Sequence, residues 1–219
     1  MGGSCPNIAC LPSKNIIHSA KVASCFQRSE EFGITKDNWR VEMSGVWDRK
    51  RKMVDALVQV HLDRYRSTGT ELLMGQGRFV GERTIEVTLL DGGTRLVRGE
   101  RVFINTGSRA AIDHIPGLSD GHPLTHVEAL DLDYLPEHLV VLGGGYVGLE
   151  LAHAMRRFGS RVTIVEQHDC LTHQEDQDVS EALEQLSLDE GIELVTGAAV
   201  TRVEGTSGKS VALHFTRAG

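Results

Sequence analysis

The sequence predicts an α/β fold built from two successive units, on the strength of three observations. Apolar residues recur every three to four positions in stretches between residues 15 and 65, the period falls to two between residues 71 and 97, and a strand, glycine turn, helix and second strand follow one another from His138 to Glu166. At 219 residues, 40% hydrophobic and 24% charged, the chain has enough apolar material for one large or two modest domains.

Taken in order, Pro12-Ser13-Lys14 precedes a small-residue helix expected over 15–26, with Ile16, Ala20, Val22 and Ala23 available to one side. A second helix is expected from Ser44 as N-cap to a stop at Gly69. Val54, Leu57, Val58, His61, Leu62 and Tyr65 form its apolar stripe, and residues 48–52 its polar side. The change of period then predicts strands at 71–74, 78–81, 84–90 and 94–97, with Asp91-Gly92-Gly93 as a hairpin turn, and a short apolar strand at 101–105 running into Thr106-Gly107-Ser108. Pro116-Gly117 and Gly121-His122-Pro123 punctuate the chain and mark the expected domain boundary.

Beyond it, His138-Leu139-Val140-Val141-Leu142 has the continuous apolar pattern of a buried strand. A helix is expected over 146–158 with Gly159 as its stop, then a strand over 161–165. A helix over about 178–190, a strand over 192–195 and two strand-like runs at 200–204 and 210–216 complete the pattern.

Charge and composition exclude several classes. A net charge of −7, a pI near 5.8 and scattered basic residues argue against nucleic acid as a partner. No apolar run approaches the ~20 residues of a membrane span, and the N-terminus lacks signal-peptide regions, so a cytoplasmic location without membrane attachment is expected. Four cysteines in a chain of this length are too few for a secreted disulfide scaffold.

The glycine run carries the clearest chemistry. In Gly143-Gly144-Gly145-Tyr146-Val147-Gly148, Gly143 allows the tight turn, Gly145 lets the backbone approach a pyrophosphate, and Gly148 permits close packing of helix on strand. Glu166 stands at the end of the next strand, where its carboxylate can accept from both ribose hydroxyls and would repel a 2′-phosphate. NAD is therefore expected rather than NADP. The alternative is a glycine-rich turn that binds nothing.

Cys5 and Cys10, separated by four residues, admit redox, metal or purely structural readings. Zinc sites pair such cysteines with a second Cys or His pair, and none follows at a usual spacing; the ten histidines show no repeated ligand spacing, so no metal is expected. Cys10 at a helix N-terminus, with Lys14 one turn later, favours a thiolate. Cys25 and Cys170 are expected to be packing residues. A dithiol that stores two electrons, together with a dinucleotide turn, suggests electron traffic between nicotinamide and sulfur.

Four segments in order now resemble one family: Gly2-Gly3-Ser4-Cys5 through Cys10-Leu11-Pro12-Ser13-Lys14, Asn105-Thr106-Gly107-Ser108-Arg109, residues 143–150, and residues 162–166. The chain resembles the pyridine nucleotide-disulfide oxidoreductases, the flavoprotein group that includes dihydrolipoamide dehydrogenase, glutathione reductase and mercuric reductase. The resemblance implies a partial FAD-binding domain with a β-meander and a redox-active helix over residues 1–118, followed by a Rossmann-like NAD-binding domain, incomplete at its end, over residues 119–219. It also implies an internal piece of a chain roughly twice as long, whose parent is a homodimer.

By the same resemblance Cys10 is the thiol beside the flavin and Cys5 the interchange thiol. Lys14 pairs with Glu150 near the flavin, Tyr146 is a gate over it, and Thr106 and Gly107 lie near FAD. The implied reaction passes a hydride from NADH through FAD to the Cys5–Cys10 disulfide and then to a small-molecule or disulfide acceptor, or runs in reverse as in a dihydrolipoamide dehydrogenase. The alternative is a nucleotide-binding module that binds NAD, lacks FAD and does no catalysis.

Overall fold

A computed structural model describes residues 2–35 and 37–217. A short helix α1 (Ser4–Asn7) leads directly into α2 (Cys10–Gln27), which starts five residues before the expected Asn15 because Pro12 and the residues around it fit a first helical turn. The long helix α3 (Met43–Ser67) begins one residue before Ser44, so Glu42 and not Ser44 is its N-cap; Gly69 follows just after Thr68 closes it.

Lys50, expected on the polar side of α3, is instead 3% exposed. Its ammonium donates to the Leu130 carbonyl at 2.9 Å, pairs with Asp131 and sits 5.6 Å from the centre of the Trp47 ring. A lysine stem can lie in apolar surroundings when its charged head is satisfied in this way.

The antiparallel meander is β1 (Gly75–Gly81), β2 (Thr84–Leu89) and β3 (Thr94–Arg98) in the order β1-β2-β3. Phe79, Ile85 and Val97 oppose one another across it, while Arg78, Glu86 and Leu96 occupy a neighbouring row, with Arg78 and Glu86 ion-paired at 2.5 Å. Two expected strands are absent. Residues 71–74 make no ladder among the described residues, and the Met74 carbonyl accepts from Leu90 N at 3.0 Å. Residues 101–105 pair with no strand among the described residues, leaving Phe103 87% exposed despite its apolar run. An apolar pattern needs a neighbouring backbone before it becomes a strand.

The second unit is a parallel sheet of β4 (His138–Leu142), β5 (Arg161–Val165) and β6 (Glu193–Val195) in the order β4-β5-β6. Helix α5 (Tyr146–Phe158) connects β4 to β5, and α6 (Gln177–Asp189) connects β5 to β6. Helix α4 (His126–Leu130), which precedes the sheet, was not anticipated; its signal is the capping box of Thr125 and Glu128. A hairpin of β7 (Ala198–Gly205) and β8 (Val211–Arg217) ends the described chain. The turn at Pro116-Gly117 packs on this hairpin, with Val203 N donating to the Pro116 carbonyl at 2.9 Å.

One core joins the halves. Ile16, Ala20 and Ala23 of α2 are buried in the same cluster as Ala152, Met155 and Phe158 of α5 and Val162 and Ile164 of β5. Helix α2 packs on both α3 and α5, and the small side chains at Ala20 and Ala152, both fully buried, allow α2 and α5 to approach closely. That approach positions the site.

Candidate active site

Cys5 lies in α1 and Cys10 is the first residue of α2; both are exposed and both are free thiols. The two side chains interact, and hydrogen bonding to Cys10 is the main influence holding the Cys5 thiol above its ordinary pKa. The protonation of Cys5 thus depends on Cys10.

Lys14 and Cys10 are four apart on α2, so they share a face. The Lys14 ammonium donates to both carboxylate oxygens of Glu150 in α5, at 2.5 and 2.6 Å, across 136 residues of sequence. Tyr146, four residues before Glu150, opens α5 and is 76% exposed. One thiol, an ammonium, a carboxylate and a phenol therefore belong to two helices joined by an ion pair, with the second thiol, Cys5, on the neighbouring α1. Such an open polar and aromatic face is chemically suited to a planar redox group. Thr106 and Gly107 lie in exposed coil and make no hydrogen bond among the described residues, so nothing joins them to either group.

The glycine turn has the expected geometry. Gly143 has φ +99°, a conformation that favours glycine. A Cβ on Gly148 would sit 2.6 Å from the Gly143 carbonyl oxygen, so helix and strand are closer there than any side chain allows. A Cβ on Gly145 would meet nothing within 4 Å, leaving open space at the start of α5, where the first backbone amides of a helix lack partners. An open helix N-terminus of this kind is chemically suited to an anion.

Glu166 follows β5 and is 6% exposed. Its two oxygens accept from Gly144 N at 2.6 Å and His168 N at 2.8 Å, which fixes the carboxylate against the turn. The loop after it returns to the same place: Thr172 N donates to the Gly144 carbonyl at 3.0 Å, and the His168 and His173 rings stack 3.7 Å apart. Four residues separate these histidines, a spacing that metal-ligand pairs use. Cys170 in this loop is half-buried, and Cys25 is exposed on α2, so Cys25 is not the packing residue expected.

Comparison with known proteins shows the family. The model of the pyridine nucleotide-disulphide oxidoreductase family matches residues 1–218. Mercuric reductase of Streptomyces lividans is 35% identical over 197 residues, covering 89% of this chain and 41% of that protein. Dihydrolipoyl dehydrogenase of Bacillus subtilis is 32% identical, covering 91% of this chain and 44% of that protein. The structure of HOCl-induced flavoprotein disulfide reductase RclA from Escherichia coli superposes with a TM-score of 0.83 at 28% identity, covering 99% of this chain and 45% of that one. The chain thus spans less than half the length of each of these relatives. The matched range takes in both the dithiol and the glycine turn, and the chain belongs to the pyridine nucleotide-disulphide oxidoreductase family.

Proposed function

We propose that this chain carries the dithiol and the nicotinamide-binding elements of an FAD-dependent NAD(P)H:disulfide-type oxidoreductase, with residues 1–118 as part of the flavin domain and residues 119–219 as the nucleotide domain. The observation that carries the reading is the Lys14–Glu150 pair, which ties the helix of Cys10 to the helix opened by Gly145. Bound FAD would supply the two-electron relay between nicotinamide and sulfur.

The chain's own residues have distinct tasks. The Gly145 cradle and the amides of α5 hold the pyrophosphate, and Glu166 accepts from the adenosine ribose. Lys14, held by Glu150, keeps positive charge on the face of α2 that it shares with Cys10. Cys5, exposed on α1, is the interchange thiol that meets the acceptor. In the reductive direction the Cys5–Cys10 disulfide takes two electrons and two protons to become two thiols. Thiolate attack of Cys5 on an acceptor disulfide followed by attack of Cys10 regenerates the bond and releases the reduced acceptor. Small-molecule or disulfide acceptors suit two exposed sulfurs.

A second reading, a nucleotide module without flavin, draws on the uncontacted coil around Thr106 and Gly107. One experiment separates them. The mildly oxidised protein is given FAD and NADH without oxygen, and free thiols are counted. Two new thiols, absent in Cys10→Ser, are expected; NADH binding with no thiol release would leave only the nucleotide module.

A further inference from the structure

The loop after β5 gathers three metal-ligating side chains beside the glycine turn. One ligand atom each from Glu166, His168 and His173 can be chosen so that all lie within 4.8 Å of one another. The Glu166 carboxylate is 6% exposed, and among the described residues no lysine or arginine pairs with it; the nearest basic atom is His168 Nε2 at 4.0 Å from Oε1. Burying a carboxylate without a cation is costly, and two backbone amides meet only part of that cost.

The scaffold around this carboxylate is fixed. The His168 carbonyl accepts from Gly197 N at 2.8 Å, Leu171 is fully buried, and Leu171 N donates to Glu184 at 2.9 Å. Thr172 turns the chain back with φ +47°, bringing the His173 ring onto His168 at an interplanar angle of 26°. His173 is exposed, so its ring can leave the stack on His168 by swinging through solvent.

We propose that Glu166, His168 and His173 form a binding site for a divalent transition metal of borderline softness, the class of Zn²⁺. Two imidazoles and one carboxylate select that class over Mg²⁺ or Ca²⁺, which take oxygen ligands. Bond lengths of about 2.0–2.1 Å place tetrahedral ligand atoms about 3.3 Å apart, so both imidazoles must turn, His168 Nε2 closing on Glu166 from 4.0 Å and His173 following it. A fourth position is left to water. The metal would neutralise the buried carboxylate, and it shares Glu166 with the nucleotide reading without depending on it.

The test is zinc titration by calorimetry on the Cys5→Ser/Cys10→Ser chain, so that the dithiol cannot capture metal, and without nucleotide. One Zn²⁺ per chain is expected, with cobalt substitution giving a visible absorption band. His173→Ala, at an exposed position, and His168→Ala should each weaken binding at least about tenfold while circular dichroism stays unchanged. No stoichiometric binding to the starting protein, or equal binding after both histidines are removed, would overturn the proposal.

Discussion

At the scale of single residues, two glycines of one turn make opposite predictions. Gly145→Ala adds a methyl where nothing lies within 4 Å and φ is −78°, so stability should change by no more than about 0.5 kcal/mol. NADH binding should nevertheless fall sharply, because the methyl fills the space a pyrophosphate needs. Gly148→Ala instead drives a methyl to 2.6 Å from a backbone oxygen and should cost about 1–3 kcal/mol in urea denaturation. Unimpaired NADH binding by Gly145→Ala would remove the pyrophosphate from this turn. Glu166→Ala should weaken NADH while barely changing NADPH, since only the ribose hydroxyls gain from the carboxylate; equal losses would sink the preference for NAD. The dithiol has its own test. Cys10 holds up the Cys5 pKa, so Cys10→Ala should move the pH profile of Cys5 alkylation to lower pH, and an unmoved profile would show that the thiols do not interact.

At the scale of elements, the pairing of α2 with α5 does most to shape the molecule. Met155 is 1% exposed in their shared core, so Met155→Ala should cost about 2–5 kcal/mol in denaturation, whereas breaking the half-exposed Lys14–Glu150 pair by Glu150→Gln should cost no more than about 1 kcal/mol. A large effect of Glu150→Gln on folding would mean that the ion pair is structural. This contrast also explains what could be read in advance. The bounds of α5 and β5 follow from local signals, a glycine turn, an apolar strand and Gly159, and they were legible to the residue. Helix α4 has a local signal too, Thr125 and Glu128 three apart, but at five residues it is too short to show an apolar period. Residues 101–105 have strand composition and no strand, because pairing depends on a neighbour that composition does not encode. The burial of Lys50 was equally hidden, since Leu130 and Asp131 are 80 and 81 residues away. The Lys14–Glu150 contact was available only through the family resemblance. The His168–His173 pair could have been noticed from its four-residue gap; the placement of Glu166 beside it could not.

At the scale of the whole molecule, three groups tie folding to pH in the same direction. Burial, and then the charge of Arg161, holds His138 below its ordinary value of 6.5. Burial pushes Glu190 up, but hydrogen bonds from Arg157 and His153 outweigh it and bring the carboxyl below 4.5. The Thr125 side chain and nearby amides lower Glu128 likewise. A depressed folded pKa means that the unfolded chain takes the proton first, so the stability each group contributes is complete above its unfolded value and is lost as pH falls through its folded value. The histidine acts first and the carboxylates later. Urea midpoints should therefore be level near neutrality, decline once the pH drops below about 6.5, and decline again below about 4.5. Glu190 joins α5 to the end of α6 through Arg157 at 2.5 Å and His153 at 3.1 Å, so the second decline should loosen the sheet's helical cover. His138→Gln should flatten the first decline and leave the second. A midpoint that stays constant down to pH 5, or a first decline that survives in His138→Gln, would show that the β4–β5 edge does not govern the onset of acid unfolding.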